Sequence, residues 1–266
     1  MSNWKVLIIL FFPVFLFTFS CENQTAESTE NTEPIVVGNP AAAGFNAAAS
    51  DAKAIELADA VMAANGGRAA WDNTRHLRWT FFGRRDLWWD KTTGNVRIES
   101  AGDSTTYLLN VKEDTGKIMR GGVEMTEPDS IKKYAERGKS IWINDSYWLV
   151  FPFKLKDSGV TLKYMGRDTT DGVNLGDVLQ LTFENVGDTP ENRYLAYVSP
   201  QGMISQWDFY GNATDTIARF STPWLDYQTY GGIKLSSDRG MAKLSNIAVY
   251  DELAAAVYDD FSWEEK

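Results

Sequence analysis

The sequence predicts a mainly β protein built from antiparallel hairpins, with one helix near the start of its folded part and one or two helices in the middle. Three observations carry this prediction. Polarity alternates with a period of two along most of the chain after residue 74. Turns rich in glycine, asparagine and aspartate separate the alternating segments. Helical spacing replaces the alternation only around residues 50–67 and 126–153.

The chain begins with an apolar segment, residues 6–21, that follows one positive charge at Lys5. Such a segment ending in small residues is typical of an export signal. Cys21 is the only cysteine, so the chain cannot form an internal disulfide. Residues 18–21, Thr-Phe-Ser-Cys, resemble the lipobox of bacterial lipoproteins, whose cysteine is acylated and becomes the new N-terminus. We therefore expect residues 1–20 to be a signal peptide and Cys21 to carry the lipid; an uncleaved anchor helix is the alternative.

The charge of the chain excludes some classes of partner. Removal of residues 1–20 takes away Lys5 and no acidic residue, which leaves 25 basic against 36 acidic residues and a net charge of −11. Nucleic acids and anionic lipid surfaces attract clustered lysine and arginine. We expect no nucleic-acid partner, and we expect attachment to the membrane through the acyl chains of Cys21, because several chains together make a durable anchor.

Residues 21–50 are predicted to be the lipidated cysteine and a flexible linker, and residues 51–266 a single domain. The linker has no helical or strand period and consists mostly of small and polar residues. Ser50 then resembles a helix N-cap, and Gly66-Gly67 a helix stop. The apolar residues between them follow helical spacing and predict a helix with one apolar face: Ile55, Ala58, Val61 and Met62.

Short strands are predicted on both sides of a helical middle. Residues 74–122 contain about five strands joined as hairpins. Residues 126–153 predict one or two helices, with Pro128 in a first turn and the apolar run 147–153 at the end. The later strands are expected at 159–166, 176–185, 192–199, 203–210, 217–225, 230–237 and 243–250, followed by a polar end.

Residues 51–260 resemble a family of uncharacterised lipoproteins of Gram-negative bacteria. The resemblance implies an envelope location and no established activity. It rests on five phrases: GGRAAWDNTRHLRWTFFGRRDLWWDKTTG at 66–94, YWLVFPFKLKDSGVTLKY at 147–164, QWDFYGNA at 206–213, RFSTPWLDY at 219–227 and SSDRG at 236–240.

The order of elements also resembles that of the lipoprotein carrier LolA and its receptor LolB. This resemblance implies a single antiparallel sheet curled into an unclosed barrel, with the N-terminal and mid-chain helices covering its concave side. It also implies an apolar cavity for acyl chains. No residue motif of those proteins is matched, so none of their site residues is carried over.

Catalytic and metal chemistry has few candidates in the sequence. His76 is the only histidine, and by strand parity it shares the polar face of its strand with Arg78 and Thr80. A surface or hydrogen-bonded histidine is therefore expected there in place of a catalytic base. One histidine and a lipidated cysteine do not make a metal site of the usual ligands. We expect no cofactor and no metal.

A stripe of large aromatic residues is the positive signal for function. They are assigned to inward faces of strands or to the helical stripe: Trp79, Phe81, Trp89, Trp142, Trp148, Phe151, Trp207 and Phe209. Either they fill a plain core, or they line a cavity that binds an apolar ligand. The unbroken apolar run 147–153 favours the cavity. These eight residues are the predicted ligand-binding residues.

The leading functional hypothesis is therefore a non-enzymatic envelope lipoprotein, expected at the outer membrane, that binds lipid or a lipoprotein acyl chain in a β-barrel cavity. A surface-exposed module that binds carbohydrate or protein through exposed Trp88 and Trp224 is the alternative. A carboxylate-dependent hydrolase is a third hypothesis, for which one of two carboxylate pairs would supply acid and base: Asp86 with Asp90, or Asp208 with Asp226.

Overall fold

The computed structural model describes Met1 and residues 38–168, 176–184 and 186–265. The expected signal peptide and Cys21 lie outside these residues, apart from Met1. The chain divides into two units, Met1–Ile35 and Val36–Lys266, and all elements named here belong to the second unit. Among the described residues, no helix combines the length and the apolar character needed to cross a bilayer.

The strands of the described residues form three antiparallel sheets. Sheet A has the order β14-β1-β2-β3-β4-β5-β6, sheet B the order β11-β10-β9-β8-β7, and sheet C pairs β12 with β13. The strands are β1 (His76–Phe81), β2 (Arg85–Asp90), β3 (Asn95–Ser100), β4 (Thr105–Asn110), β5 (Thr115–Arg120), β6 (Val123–Glu124), β7 (Val160–Asp168), β8 (Gly176–Phe183), β9 (Arg193–Val198), β10 (Ile204–Tyr210), β11 (Phe220–Pro223), β12 (Leu225–Tyr230), β13 (Ile233–Asp238) and β14 (Leu244–Tyr250).

Helices accompany the sheets at three places. The N-terminal helical part consists of α1 (Ala52–Ala64) and α2 (Gly67–Asn73), the long mid-chain helix is α3 (Pro128–Val150), and a short helix α4 (Ala256–Asp259) lies near the end. Pro128 occupies the first turn of α3, where its missing N–H costs no hydrogen bond. The middle of the chain is thus one helix, followed by a 3₁₀ turn at Phe151–Phe153.

The prediction of a mainly β, antiparallel fold that stays unclosed and carries helices is confirmed. The strands are divided over three sheets where one continuous curled sheet was expected. The division between sheets A and B has a physical cause, because α3 separates β6 from β7 along the chain and contacts β5 on one side and, through Trp148, Trp207 of sheet B on the other.

Two hydrophobic cores lie on the two sides of α3. Core A joins the inward face of sheet A to α3 and to β13, and it includes Leu77, Trp79 and Tyr107. Core B joins the inward face of sheet B to α1 and to the 3₁₀ turn, and it includes Phe151 and Trp207. Each fully buried large side chain contributes roughly 1.5–3 kcal/mol of hydrophobic stabilisation.

Two glycines permit close approaches that any side chain would block. Gly138 faces sheet A from the middle of α3, and a Cβ there would lie 2.7 Å from side-chain atoms of both Tyr107 and Leu109. Gly66 joins α1 to α2 with φ +114°, and a Cβ there would lie 2.3 Å from the carbonyl oxygen of Gly232. Glycine therefore sets the distance of α3 from β4 and of the α1–α2 junction from the β12–β13 turn.

The folded domain begins before residue 51, the predicted boundary. Residues 42–51 run beside β7, where the backbone N–H groups of Ala42 and Asn46 donate to the carbonyls of Lys156 and Val160. Phe45 packs against core B. The last part of the expected linker is thus held by backbone hydrogen bonds that a reading of side-chain periodicity does not reveal.

One strand differs from its predicted place. The expected strand at 217–225 is β11, which ends at Pro223, and β12 then follows in a different sheet. Trp224 lies between β11 and β12, where the chain passes from sheet B to sheet C. Its ring is buried in core B, and its backbone N–H donates to the carbonyl of Ser205. Most β12 side chains are exposed, so the strand has little of the alternating polarity on which the prediction relied.

The outward face of sheet A is covered by the C-terminal segment, residues 251–265. Arg97 on β3 is buried and donates to the carbonyl oxygens of Val257 (3.2 Å), Asp260 (2.9 Å) and Trp263 (3.2 Å). The Trp263 ring packs edge-on against Trp88, with centroids 5.3 Å apart. The expected polar end is therefore docked on sheet A, and Arg97 alone donates to three of its carbonyls.

We expect Arg97→Met to lower the free energy of unfolding by about 2–4 kcal/mol, because three carbonyls and the Glu99 carboxylate lose their donor. Urea unfolding followed by tryptophan emission measures the change. Arg137→Met is the matched control, because its ion pair with Asp103 is exposed and should contribute less than about 1 kcal/mol. Equal losses in the two variants would contradict the proposed role of Arg97.

Candidate functional site

The C-terminal half of α3 forms a wall common to both cores. Trp148 touches sheet A through Phe82, at 5.3 Å between ring centroids, and sheet B through Trp207, at 4.8 Å. Its neighbour Tyr147 faces only sheet B, where it packs against Tyr194 at 5.5 Å. This half of the helix therefore fixes the spacing between the two sheets.

Two arginines hold this half of α3 in place. Asp145 is buried and accepts two hydrogen bonds from Arg85 on β2, at 2.6 and 2.8 Å. Burial raises the pKa of Asp145, and the bonds from Arg85 oppose that rise. Arg239 donates to the carbonyl of Trp148 at 2.6 Å and stacks on the Trp224 ring at 3.6 Å. The C-terminal end of α3 is thus bonded to β2 through Arg85 and to the segment after β13 through Arg239.

Most of the predicted ligand-binding residues fill the cores. Trp79, Phe81 and Trp89 are buried in core A, and Phe151 and Trp207 in core B. Phe209 is half-buried and packs on Phe220, with centroids 5.0 Å apart. None of these six lines the cavities described next. They face inward as expected, but other aromatic rings occupy the space in front of them.

The first two cavities lie where α3 faces β8, β9 and the loop between them, and the third lies between α3 and the β4–β5 hairpin. The first has about 300 Å³, the second about 220 Å³ and the third about 370 Å³. Ile143 lines all three; Tyr147, Phe183, Val186 and Gly187 line the first and second; Ser140 and Asp188 line the first and third. We call the three together the α3 groove. Of the eight predicted residues, Trp148 lines the first cavity and Trp142 the second.

All three cavities of the α3 groove have mainly apolar walls with some polar side chains among them. Its first two cavities have walls of Ile143, Tyr147 and Phe183. The third lies beside Lys132, Glu136 and Lys139, and it includes the ion pair of Lys139 with Asp114. A hydrogen bond from Ser140 to Asp188 crosses the groove between the first and third cavities. An elongated molecule with an apolar chain matches the first two cavities by shape and polarity.

Two residues that line the groove carry buried donor atoms with no hydrogen-bond partner among the described residues. The Tyr147 hydroxyl and the Trp142 indole Nε1 are both shielded from solvent and unbonded. Burial raises the pKa of Tyr147 well above its ordinary value, so the hydroxyl remains protonated. The Trp142 ring is fixed by Trp89, with centroids 5.2 Å apart.

Sequence reasoning missed several groove residues. Tyr147 begins the apolar run 147–153 that favoured a cavity, so this residue carried a signal. Val186 carried none, because its place depends on how the β8–β9 loop lies against α3. A strand pattern does not specify such a loop.

His76 lies on the polar face of β1, as parity predicted, but it is buried. The C-terminal segment covers it: the Tyr258 hydroxyl is 2.9 Å from Nδ1, and the two rings stack. Asp90 lies 4.0 Å away. Burial lowers the pKa of His76 below its ordinary value of 6.5. His76 is therefore neutral when it holds the C-terminal segment.

The proposed carboxylate pairs take part in separate local networks. Asp86 accepts a hydrogen bond from Thr80, and Asp208 accepts from Tyr197 at 2.7 Å. Burial raises the pKa of Asp90, but hydrogen bonds from Thr93, Arg75 and Thr92 outweigh burial and keep this pKa below its ordinary value. A bond from Ser237 likewise lowers the pKa of Asp226. Neither Asp90 nor Asp226 has the raised pKa that a general acid of a hydrolase needs.

The exposed tryptophans expected by the alternative hypothesis are buried. Trp88 is 3% exposed beneath Trp263, and Trp224 is 1% exposed beneath Arg239. Neither ring is available as a stacking platform for a sugar or a protein. Their burial has a physical cause in the arginine and aromatic contacts made by segments distant in sequence.

No group of three or more metal-ligating side chains occurs in the part of the chain that the structure describes. The fold and the groove define the chain as a mainly β protein whose antiparallel sheets do not close into a barrel. No protein-family model matches the chain, and no curated protein sequence matches it.

One solved structure is similar: a DUF1329 family protein from Desulfovibrio piger ATCC 29098. The TM-score is 0.44 and the identity 13%, over 77% of this chain and 95% of the other. At that identity no residue of this chain receives a role from its neighbour.

The lowered pKa of His76 predicts that acid weakens the fold. Unfolded His76 binds a proton below about pH 6.5 and folded His76 resists it, so stability is complete above that pH and declines below it. We expect the free energy of unfolding to fall between pH 7.5 and 5.5. His76→Gln, which has no proton to bind, should flatten this dependence in urea titrations. Identical slopes for the two proteins would refute this account.

Proposed function

We propose that the chain is a membrane-anchored, non-enzymatic envelope lipoprotein that binds an apolar ligand, a lipid or a lipoprotein acyl chain, in the α3 groove. One observation carries the proposal. Cavities of about 300 and 220 Å³ with shared aromatic and aliphatic walls adjoin each other beside the two hydrophobic cores. The site differs from the barrel interior expected from the sequence: the groove lies between α3 and the β8–β9 region.

The size and polarity of the groove support a chain-shaped ligand. A pocket for a small molecule usually has about 300–1,000 Å³, and the two apolar cavities together fall within that range. Each methylene moved from water into such a site gains about 0.8 kcal/mol. Association itself costs at least about 4 kcal/mol. Short chains should therefore bind weakly, and affinity should rise steeply with chain length until the groove is full.

The anchor is supported by the sequence alone. Cys21 follows the apolar segment and is the only cysteine, and the resemblance to Gram-negative envelope lipoproteins agrees with it. Acylation at this position would place the domain at the envelope, and we propose the outer membrane as its location. The excess of acidic residues supports the absence of a nucleic-acid partner.

Saturated fatty acids of ten to sixteen carbons test the ligand. The fragment of residues 22–266 keeps both cores, and displacement of a fluorescent naphthylamine probe reports binding. We expect affinity to rise about tenfold for every two carbons added. Ile143→Trp should abolish binding by filling the groove, and Ile217→Trp, at an exposed site, should not. No displacement at any chain length would rule out the proposed ligand.

Metabolic labelling with an alkyne-bearing palmitate analogue tests the anchor. We expect the full chain to be labelled, and Cys21→Ala to lose the label because no other thiol exists. Ser20→Ala is the control, since it keeps the thiol and a small residue before it. Label that persists in Cys21→Ala, or no label in the unaltered chain, would contradict acylation of Cys21.

A further inference from the structure

One hydrogen bond marks the boundary between the first and the third cavity of the α3 groove. Ser140 on α3 and Asp188 in the β8–β9 loop line both of these cavities. The Ser140 hydroxyl donates to the Asp188 carboxylate, so the bond joins the helix to the loop. Neither residue lines the second cavity. An elongated ligand that continues from the first cavity toward the third therefore has to pass this bond.

The third cavity has room and apolar surface for more of such a ligand. Its volume is about 370 Å³, larger than that of either other cavity. Its apolar walls come from four residues: Leu109, Val111, Ala135 and Ile143. Ile143 also lines the first cavity, so the apolar wall is shared across the boundary. Neither the volume nor the walls therefore confine an apolar chain to the first two cavities.

The chemistry of the bond does oppose the passage of hydrocarbon. An acyl chain carries no group that can replace either partner, so a chain between Ser140 and Asp188 leaves the hydroxyl without its acceptor. Asp188 is exposed, and its carboxylate is hydrated as well as bonded. Hydrocarbon placed against this carboxylate displaces its water and supplies nothing in return. The first methylenes beyond the boundary therefore lose the affinity that burial would otherwise give them.

We propose that the Ser140–Asp188 pair ends the ligand site and sets the longest acyl chain that binds with full affinity. Both residues determine specificity for chain length. The methyl end of the chain lies in the first cavity beside the pair, because the charge of Asp188 repels a carboxylate at that end. This inference rests on the proposed function and adds a limit of chain length to it.

Saturated fatty acids of twelve to twenty carbons, delivered from cyclodextrin to the fragment of residues 22–266, test the limit. In the unaltered fragment we expect affinity to rise with chain length and then to level off. Asp188→Ala removes both the bond and the charge, so affinity should continue to rise by about tenfold for every two further carbons. Acids shorter than the limit should bind both proteins equally, because they do not reach Asp188. The readout is the affinity ratio of the longest acid to the shortest.

Two control variants separate the limit from a general effect on the groove. Asp188→Asn keeps an acceptor for the Ser140 hydroxyl, so affinity should still level off at the length seen in the unaltered fragment. Asp114→Ala breaks the ion pair with Lys139, which lies beside the third cavity only. Because Asp114 lies beyond the boundary, its removal should leave the affinity ratio unchanged. All three substituted side chains are exposed, and urea midpoints close to that of the unaltered fragment confirm that each variant is folded.

The outcomes decide the limit and the proposed function separately. If affinity levels off at the same length in Asp188→Ala, or rises without a limit in the unaltered fragment, the Ser140–Asp188 pair does not end the site and only the groove remains. A change of affinity by one factor at every chain length in Asp188→Ala also overturns the inference. If no acid binds to the unaltered fragment, the proposed function fails, and the limit fails with it.

Discussion

The structure depends on α3 being a wall common to two cores. One helix has to pack against sheet A and sheet B at once. The two hydrogen bonds from Arg85 to Asp145 fix its position relative to β2. A buried carboxylate costs several kcal/mol to desolvate, so it persists only where a donor of matching geometry is fixed opposite to it. With the helix fixed in this way, the cavities of the α3 groove remain between α3 and the strands and loops that flank it. The groove is thus a consequence of the packing of two sheets on one helix.

Much of the fold follows from local patterns. The hairpins of β1–β5 and β7–β10 and the helical middle follow from polarity with periods of two and 3.6, because one face of each element is buried. The outcome for His76 shows the limit of this reasoning. Parity assigns its face correctly, but the cover of that face comes from Tyr258, 182 positions away in the sequence. Such contacts depend on the tertiary fold and leave no periodic signal.

The site was less predictable than the fold. The inward direction of Trp79 and Trp207 follows from alternation, but whether an inward ring meets a neighbour or a cavity depends on what the opposite sheet presents. In core B the neighbours of Trp207 are Tyr194 and Trp224, and together they fill the space. Of the eight predicted residues, only Trp142 and Trp148, both on α3, line cavities of the groove.

The pairing of β1 with β14 joins segments from the two ends of the folded domain, with His76 opposite Tyr250. Bringing such distant segments together closes a loop of nearly the whole domain. The chain loses the conformational entropy of that loop before the β1–β14 hydrogen bonds can stabilise the fold. We therefore expect the consecutive hairpins to form early and the β1–β14 ladder to form last. Until then β1 presents an unpaired edge, so the nascent domain passes through a stage in which it is open to association with other chains.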